Sequence, residues 1–482
     1  MSTHDNLLHI VGNDYVVGQG DNCMSFSHDG SFMSGQIPSC VVKPNTAEQV
    51  QKIVQLANKD GFSLIPVSSR GPRFRGDTVP EKKDSVIVDL SGMKSIVRVD
   101  RRSKTAIVEP GVTFNELIDA AAAKGLRLAM PLMPRNTKSV VGSLLEREPT
   151  TMPKYHWDMQ DPLCCVEVIF GSGDFFRTGS AAGPGSLEQQ WGSGQAQKSP
   201  MGPAQTDWAK IIQGSQGTMG IVTWASIKLE VKPQAVKAFI VGASNLNDLI
   251  EFSYALTRKK YADHCFILNN VNCASIRNSL SDTNIPEWLL FYTIAGYDYF
   301  PEERVQYLEK DIADIAEKMS VEPSKKIGSI DADEFSNLIQ RSSSDPYWKL
   351  RKAGGFEDIL FLNSLERSHE FINELHHEMK NAGIAKDKLG IYLQPVQHGR
   401  VCHYEFSVLY NPADKEESKK VRAFCDSMTK KIMDKGGFFS RPYAQSAQMI
   451  YGKCPDSVAA LKKVKNILDP RGVMNPGKLC FK

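Results

Sequence analysis

The chain has 482 residues, of which 41% are hydrophobic and 23% charged, and its net charge is +3. That length exceeds a single core and suits two or three domains, and the near balance of charge, without a long Lys/Arg run, excludes a nucleic-acid-binding tail. No apolar stretch approaches the ~20 residues that span a bilayer, and Met1–Asn22 lacks the apolar region of a signal peptide, so the expected compartment is the cytoplasm, with membrane attachment only through a partner.

Residues 1–35 read as an irregular N-terminal arm. From Ser39 the pattern turns to strand and helix. Cys40–Val42 is a short strand, and Thr46 with Gln49 forms a capping box for a helix carrying Val50, Ile53, Val54 and Ala57 at helical spacing, ended by Gly61. Strands follow at Ser63–Val67 and Ser85–Leu90, separated by a Gly/Pro/Arg loop. A second lobe begins near residue 101, with a strand at Thr105–Glu109, a helix capped by Thr113, and a hairpin whose strands flank Gly171–Asp174. Residues 179–206, rich in Gly, Pro, Ser and Gln, read as a long surface loop, a place where function often sits.

Beyond about Pro233 the texture changes. Helices near 245–258, 301–318, 366–382 and 414–434 alternate with strands near 264–270, 289–296, 389–396 and 401–410, which predicts an α+β layer with an antiparallel sheet. The expected division is therefore arm 1–35, a first domain 36–232 in two lobes (about 36–100 and 101–232), a cap 233–435, and a C-terminal segment 436–482. Ten cysteines without a C-x-x-C pair speak against a zinc ribbon or iron–sulfur cluster in this chain and for reduced, mostly buried thiols. No G-x-G-x-x-G follows a strand, so a Rossmann site is unsupported.

Four segments in order carry a resemblance: Pro66-Val67-Ser68-Ser69 through Gly76 to Pro80, Glu109-Pro110-Gly111-Val112-Thr113, Gly214-Ser215-Gln216-Gly217-Thr218-Met219-Gly220-Ile221-Val222-Thr223, and Asp469-Pro470 to Asn475-Pro476-Gly477-Lys478. Together with Ser139–Arg147 and Arg177-Thr178-Gly179 they resemble the FAD-linked oxidases of the vanillyl-alcohol oxidase and p-cresol methylhydroxylase superfamily, over about residues 36–230 and 436–482. The resemblance implies an α+β protein with a two-lobed FAD-binding domain and an α+β cap whose antiparallel sheet is covered by helices, the C-terminal segment returning to the FAD site.

A pyrophosphate needs backbone N–H donors in a loop of small residues. Ser68, Ser69, Gly71 and Gly76 offer this, while Arg70, Arg73 and Arg75 either pair with phosphate or face solvent. By resemblance Ser139, Val140, Gly142 and Ser143 pack by the flavin ring and pyrophosphate, Gly217, Gly220, Ile221 and Val222 approach the adenine or ribose side, and Asn475 joins the cofactor set. The first loop has no His, Tyr or Cys, so FAD is expected to be non-covalent.

For the chemistry, Asp158 falls where the vanillyl-alcohol oxidase branch has its active-site aspartate, with His156 and Asp161 as neighbouring candidates. Arg441 stands where that branch holds a phenolate with a Tyr-Arg pair, but the preceding residue is Ser440 and the partner tyrosine position is Phe114, which leaves Tyr443 to supply a hydroxyl. By strand alternation His403 and Glu405 point the same way, opposite Tyr404 and Phe406. They either contact substrate, or bind a divalent metal with His398, or are surface groups; the metal-binding motif of the 2-hydroxy-acid dehydrogenases is incomplete here, and no metal is expected. The implied activity is FAD-dependent removal of a hydride from a small alcohol or hydroxylated aromatic molecule. Alternatives are a 2-hydroxy-acid dehydrogenase of glycolate or D-lactate type, the FAD subunit of an electron-transfer complex with an iron–sulfur partner, or a flavin carrier without chemistry. A homo- or hetero-oligomer is expected.

Overall fold

Residues 3–18, 20–156, 161–183, 185–193, 200–202, 206–280 and 284–481 are described by a computed structural model. The chain opens with α1 (Thr3–Val11), whose Leu7 and Val11 lie one turn apart and are buried on the first lobe. β1 (Val16–Val17) pairs antiparallel with β2 (Cys40–Val42), and the short α2 (Asp21–Met24) lies between them. The expected irregular arm is thus corrected. Two apolar residues at helical spacing suffice to dock a helix on a neighbouring core but are too few to reveal it in the sequence.

In the first lobe α3 (Ala47–Asp60) leads to β3 (Ser63–Val67) and β4 (Ser85–Asp89). Both β2 and β3 run parallel to β4, giving the order β1-β2-β4-β3. Parallel neighbours require a crossover, and α3 supplies it, with Thr46 accepting from the Gln49 amide and Gly61 closing the helix at φ 81°. The second lobe contains β5 (Ile96–Asp100), β6 (Thr105–Val108), α4 (Phe114–Ala122), β7 (Leu126–Leu128), α5 (Val140–Leu145), β8 (Leu163–Phe170), β9 (Phe175–Arg177), α6 (Leu187–Gly192), α7 (Ala209–Ile212) and β10 (Gly220–Val231). Its sheet is antiparallel, ordered β5-β6-β10-β8-β9 with β7 also on β10. The stretch expected to be one long loop contains α6, stabilised by a Ser186/Gln189 capping box.

The cap comprises β11 (Ala235–Ala243), α8 (Leu246–Arg258), β12 (His264–Asn269), α9 (Asn270–Arg277), β13 (Trp288–Gly296), α10 (Pro301–Met319), the small hairpin β14 (Lys326–Ile327) and β15 (Ile330–Asp331), α11 (Ala332–Ile339), β16 (Gly355–Asn363), α12 (Ser368–Asn381), β17 (Leu389–Val396), β18 (Val401–Tyr410) and α13 (Lys415–Asp434). Its sheet is antiparallel throughout, ordered β11-β13-β12-β17-β18-β16. One face packs under α8, α10, α12 and α13, with Tyr404 and Phe406 fully buried among Phe361 and Phe371. The other face meets the first domain, where Leu132 and Met133 pack on Phe266, Leu268 and Tyr392. Arg127 on β7 locks this contact with two 2.6 Å bonds to Asp263, next to β12. Among the described residues no helix is long and apolar enough to cross a membrane. None of the ten cysteines is paired, and eight are buried.

After α14 (Ala444–Gly452) and α15 (Pro455–Leu468) the tail returns to β3: the Leu64 amide donates to Val473 O and the Asn475 amide to Leu64 O, each at 2.8 Å. A buried pair holds this return. Asp469 accepts from the Val473 and Met474 amides and pairs with Lys465, whose ammonium also donates to Thr218 O at 2.6 Å and Met474 O at 3.0 Å. Removing one member of a buried pair strands the other. Asp469→Ala is therefore expected to lower the unfolding free energy by about 3–5 kcal/mol; a melting temperature equal to wild type would contradict this role.

Candidate active site

A cleft with about 1050 Å³ of empty space runs between the two lobes. One wall is the end of β3 and the loop after it, the opposite wall is the start of α5, and the floor is the turn leading into β10. Of the residues expected to hold the cofactor, Ser68, Ser69, Arg73, Gly142, Gly217, Gly220, Ile221 and Val222 line it. The others support it from outside. Arg70 is exposed, and its carbonyl accepts from Arg135 at 3.4 Å. Gly71 precedes Pro72 and does not line the cleft. The Gly76 amide donates to Asp29 of the N-terminal arm at 2.7 Å. Ser139 caps α5 and donates to Pro110 O at 2.5 Å, Val140 is buried in the second-lobe core, and Ser143 donates to Glu148 at 2.5 Å. Asn475 ties two lining loops together, donating to Asp77 O at 2.9 Å and Gln216 O at 2.7 Å.

The residues present fit a dinucleotide diphosphate. At Gly142 a Cβ would come within 2.8 Å of Ser68 Oγ, and at Gly217, with φ 70°, it would collide with the Pro66 ring, so both backbones approach the cleft as only glycine allows. Arg73 and Arg441 line the cleft, and each has a buried guanidinium nitrogen without a partner, Nε and Nη1 respectively. Burial and the nearby Glu146 push the Asp77 carboxyl up to about 6.

A second cavity of about 480 Å³ lies on the cap side and shares Arg75, Arg135, Lys138 and Arg441 with the cleft. Its cap wall follows from strand register: Tyr392 on β17 faces Glu405 on β18, and Glu405 faces Leu360 on β16. Glu405 lines this cavity, His403 shares its face of β18 but lines neither space, and Tyr404 and Phe406 point to the helix-covered core, as alternation requires. Lys349, only 3% exposed, bridges Glu405 Oε1 at 2.5 Å and Asp358 Oδ2 at 2.7 Å. Asp358 also takes Arg75 at 2.9 Å and Ser407 Oγ at 2.5 Å. His403 Nε2 stands 3.6 Å from Glu405 Oε2, beyond hydrogen-bond length, and is buried without a partner.

Burial pulls the His403 imidazole down to about 4, against the pull of the Glu405 carboxylate, so it is neutral at pH 7. Burial raises the Glu405 carboxyl, but Lys349 and His403 outweigh it and hold it well below the ordinary range. Glu148, likewise desolvated, is held down to about 2 by Lys138 and Arg441. Burial lifts the Tyr347, Tyr392 and Tyr443 hydroxyls well above 10, so they act as donors and not as bases. Tyr443 lines the cofactor cleft, beneath the Arg75 guanidinium at 5.7 Å.

Other expected residues lie elsewhere. Asp158 is outside the described residues. His156 and Asp161 line a separate space that touches the cap cavity at Glu148 and Pro149, and Asp161 is engaged by the Leu163 amide and Gln213. Phe114 is fully buried in the second-lobe core, and Ser440 lines neither the cleft nor the cap cavity. His398 sits at the β17–β18 turn, its amide on Pro153 O and its charged neighbours Lys260, Lys154 and Arg400, whereas those of His403 are Glu405, Arg441 and Lys349. Among the described residues no group of three or more His, Cys, Asp or Glu is placed to hold a metal ion. Lys349, Asp358, Glu148, Tyr347 and Tyr392 were not foreseeable as site residues; Lys349 lies in a short turn, and nothing in its sequence neighbourhood marks it.

Two family models match the chain: one described as "FAD binding domain" over residues 38–179, and one described as "FAD linked oxidases, C-terminal domain" over residues 366–479. The flavoprotein subunit of 4-cresol dehydrogenase (hydroxylating) from Pseudomonas putida is 24% identical, covering 97% of this chain and 93% of that one. A mitochondrial cytochrome-type D-lactate dehydrogenase from Arabidopsis thaliana is 24% identical over 92% of this chain and 73% of its own length, and glycolate oxidase subunit GlcD of Bacillus subtilis is 22% identical over 99% and 96%. Among solved structures, substrate-bound p-cresol methylhydroxylase superposes with a TM-score of 0.82 at 20% identity, covering 100% of this chain and 96% of that one. For the cleft, Gly217→Ala is expected to weaken FAD retention at least tenfold, about 1.4 kcal/mol, measured by flavin released on dilution; unchanged retention would contradict the close approach at this turn.

Proposed function

Because the chain belongs to the FAD-linked oxidases of the vanillyl-alcohol oxidase and p-cresol methylhydroxylase superfamily, we propose that it is an oxidoreductase removing a hydride from a small hydroxylated substrate seated under the cap. The observation that carries this reading is the buried, unpartnered Nη1 of Arg441 where the cofactor cleft meets the cap cavity. FAD bound in the cleft supplies the hydride acceptor. Ser68, Ser69, Arg73 and the backbones at Gly142 and Gly217 hold it, without a covalent bond to the protein. Arg441 holds an anionic oxygen of the substrate and fixes which carbon faces the cleft. The Glu405–His403 pair takes the hydroxyl proton: Glu405, fixed by Lys349, is the member that lines the cap cavity and meets the hydroxyl, and the neutral His403 imidazole stands behind it as a proton relay. Tyr347 orients an oxygen as a donor, while the Tyr392 hydroxyl is already given to Gln394 Oε1. Asp158 is the second candidate for the base.

A 2-hydroxy acid is favoured over a 4-hydroxybenzyl substrate by a specific observation. Phe114 is withdrawn into the core and Ser440 lines neither space, so the Tyr-Arg pair expected around a phenolate is reduced to Arg441 with Tyr443 on the cleft side, whereas an unpaired guanidinium edge suits a carboxylate. The glycolate and D-lactate enzymes among the relatives are in keeping with this. The electrons leave to a protein partner or another acceptor; one relative is the flavoprotein subunit of a larger enzyme by name.

Arg441→Ala is expected to cut kcat/KM for the best hydroxy acid by about 10–100-fold, the value of a hydrogen bond to a charged group, with Arg441→Lys intermediate; equal activity of all three would refute the anchor. In wild type, kcat at saturating substrate is expected to fall as pH drops through about 4, where His403 takes its proton, while FAD remains bound. His403→Asn should lower the rate and abolish that limb, and an unchanged limb would pass the role to Asp158, testable by Asp158→Asn.

A further inference from the structure

Beside the cleft and the cap cavity lies a third chamber. It forms where β16, the edge strand of the cap sheet, passes α13, and Ser31–Met33 of the N-terminal arm and residues 443–446 line it from the other side. Arg75 and Arg441 line this chamber, the cleft and the cap cavity alike. All three spaces therefore meet at the same two guanidiniums.

The walls are of two kinds. Phe32, Phe74, Ile359, Leu360 and Phe439 form an apolar lining. Glu357 adds a carboxyl that burial and the nearby Asp358 push up to about 8, so that at neutral pH it is mostly an O–H donor. Its charged neighbours are Asp358, Arg75, Asp29 and Asp426, and its side chain is partly open to solvent. The unpartnered Nη1 of Arg441, a residue only 5% exposed, also lines the chamber. A buried unpaired guanidinium edge beside an apolar wall suits a ligand with an anionic head and an apolar chain.

We propose that this chamber receives the distal part of the substrate: an elongated molecule with its anionic head on Arg441 and an apolar chain along Phe32, Phe74 and Phe439. The proposal rests on Arg441 as the head anchor proposed above, and it adds a preference for length that the short cap cavity does not carry. The alternative role of the same space, a passage through which every substrate travels, predicts no preference for length.

Straight-chain carboxylates from acetate to octanoate, which lack the hydroxyl to be oxidised, test this on the purified FAD-loaded protein by calorimetry and by the rise in melting temperature. Affinity is expected to climb roughly threefold to fourfold per methylene. Ser446→Trp places an indole on the outer wall and should flatten that climb while acetate binds as in wild type. Affinity independent of chain length in wild type would overturn the proposal, as would a climb unaffected by Ser446→Trp. A loss of acetate binding equal to that of octanoate in the variant would mark a passage and overturn it too. Failure of every acid, short and long, to bind wild type would remove the Arg441 anchor and both proposals with it.

Discussion

Asp358 is the carboxylate on which the site depends. It takes Arg75 from the loop after β3 and Lys349 from the cap, and Lys349 passes the contact on to Glu405. A buried charge is costly unless paired and hydrogen-bonded; Asp358, Lys349 and Glu405 belong to the cap and pair with one another, and the Arg75–Asp358 contact carries the network across to the first domain. The network therefore fixes the cap over the cleft and sets where Glu405 and His403 stand. The Arg127–Asp263 bonds at the other side of the cap–domain contact act in the same sense. Between these two locks the apolar packing of Leu132 and Met133 on the cap sheet supplies the area.

The charge pattern follows a consistent logic. The cleft and cap cavity share four cationic side chains, Arg75, Arg135, Lys138 and Arg441. Arg75 is matched by Asp358 and Lys138 by Glu146 and Glu148. Arg441 keeps a free guanidinium nitrogen, and so does Arg73 deeper in the cleft. The cations left with unpaired guanidinium nitrogens at this junction stand where an anionic cofactor and an anionic substrate oxygen would enter.

Much of this was legible in the sequence, for definable reasons. Strands and helices with clean periodicity and caps were found nearly residue for residue, as at α3, β17 and β18. Turn residues with backbone constraints also showed: Gly217 in its tight turn and the Asp469–Lys478 return to the first lobe. The orientation of His403 and Glu405 followed from alternation alone. What sequence hid was of another kind. β16 was missed because Glu357 and Asp358 interrupt its apolar run, although these are the residues that make it functional. Lys349 and Glu148 acquire meaning only through partners far along the chain, which periodicity does not encode. Ser139, Val140 and Ser143 were placed against the cofactor by resemblance, yet their side chains brace α5 from beneath while Gly142 alone of that group meets the cleft.

The central claim is a bound flavin that accepts hydride from a small hydroxylated substrate under Arg441. Its most direct measurement is the visible spectrum of the purified protein, followed by anaerobic addition of a panel of hydroxy acids and alcohols. The account predicts the absorption bands of FAD, bleached by one or more hydroxy acids. A protein that binds no flavin even after reconstitution, or whose bound flavin no member of the panel bleaches, would contradict it.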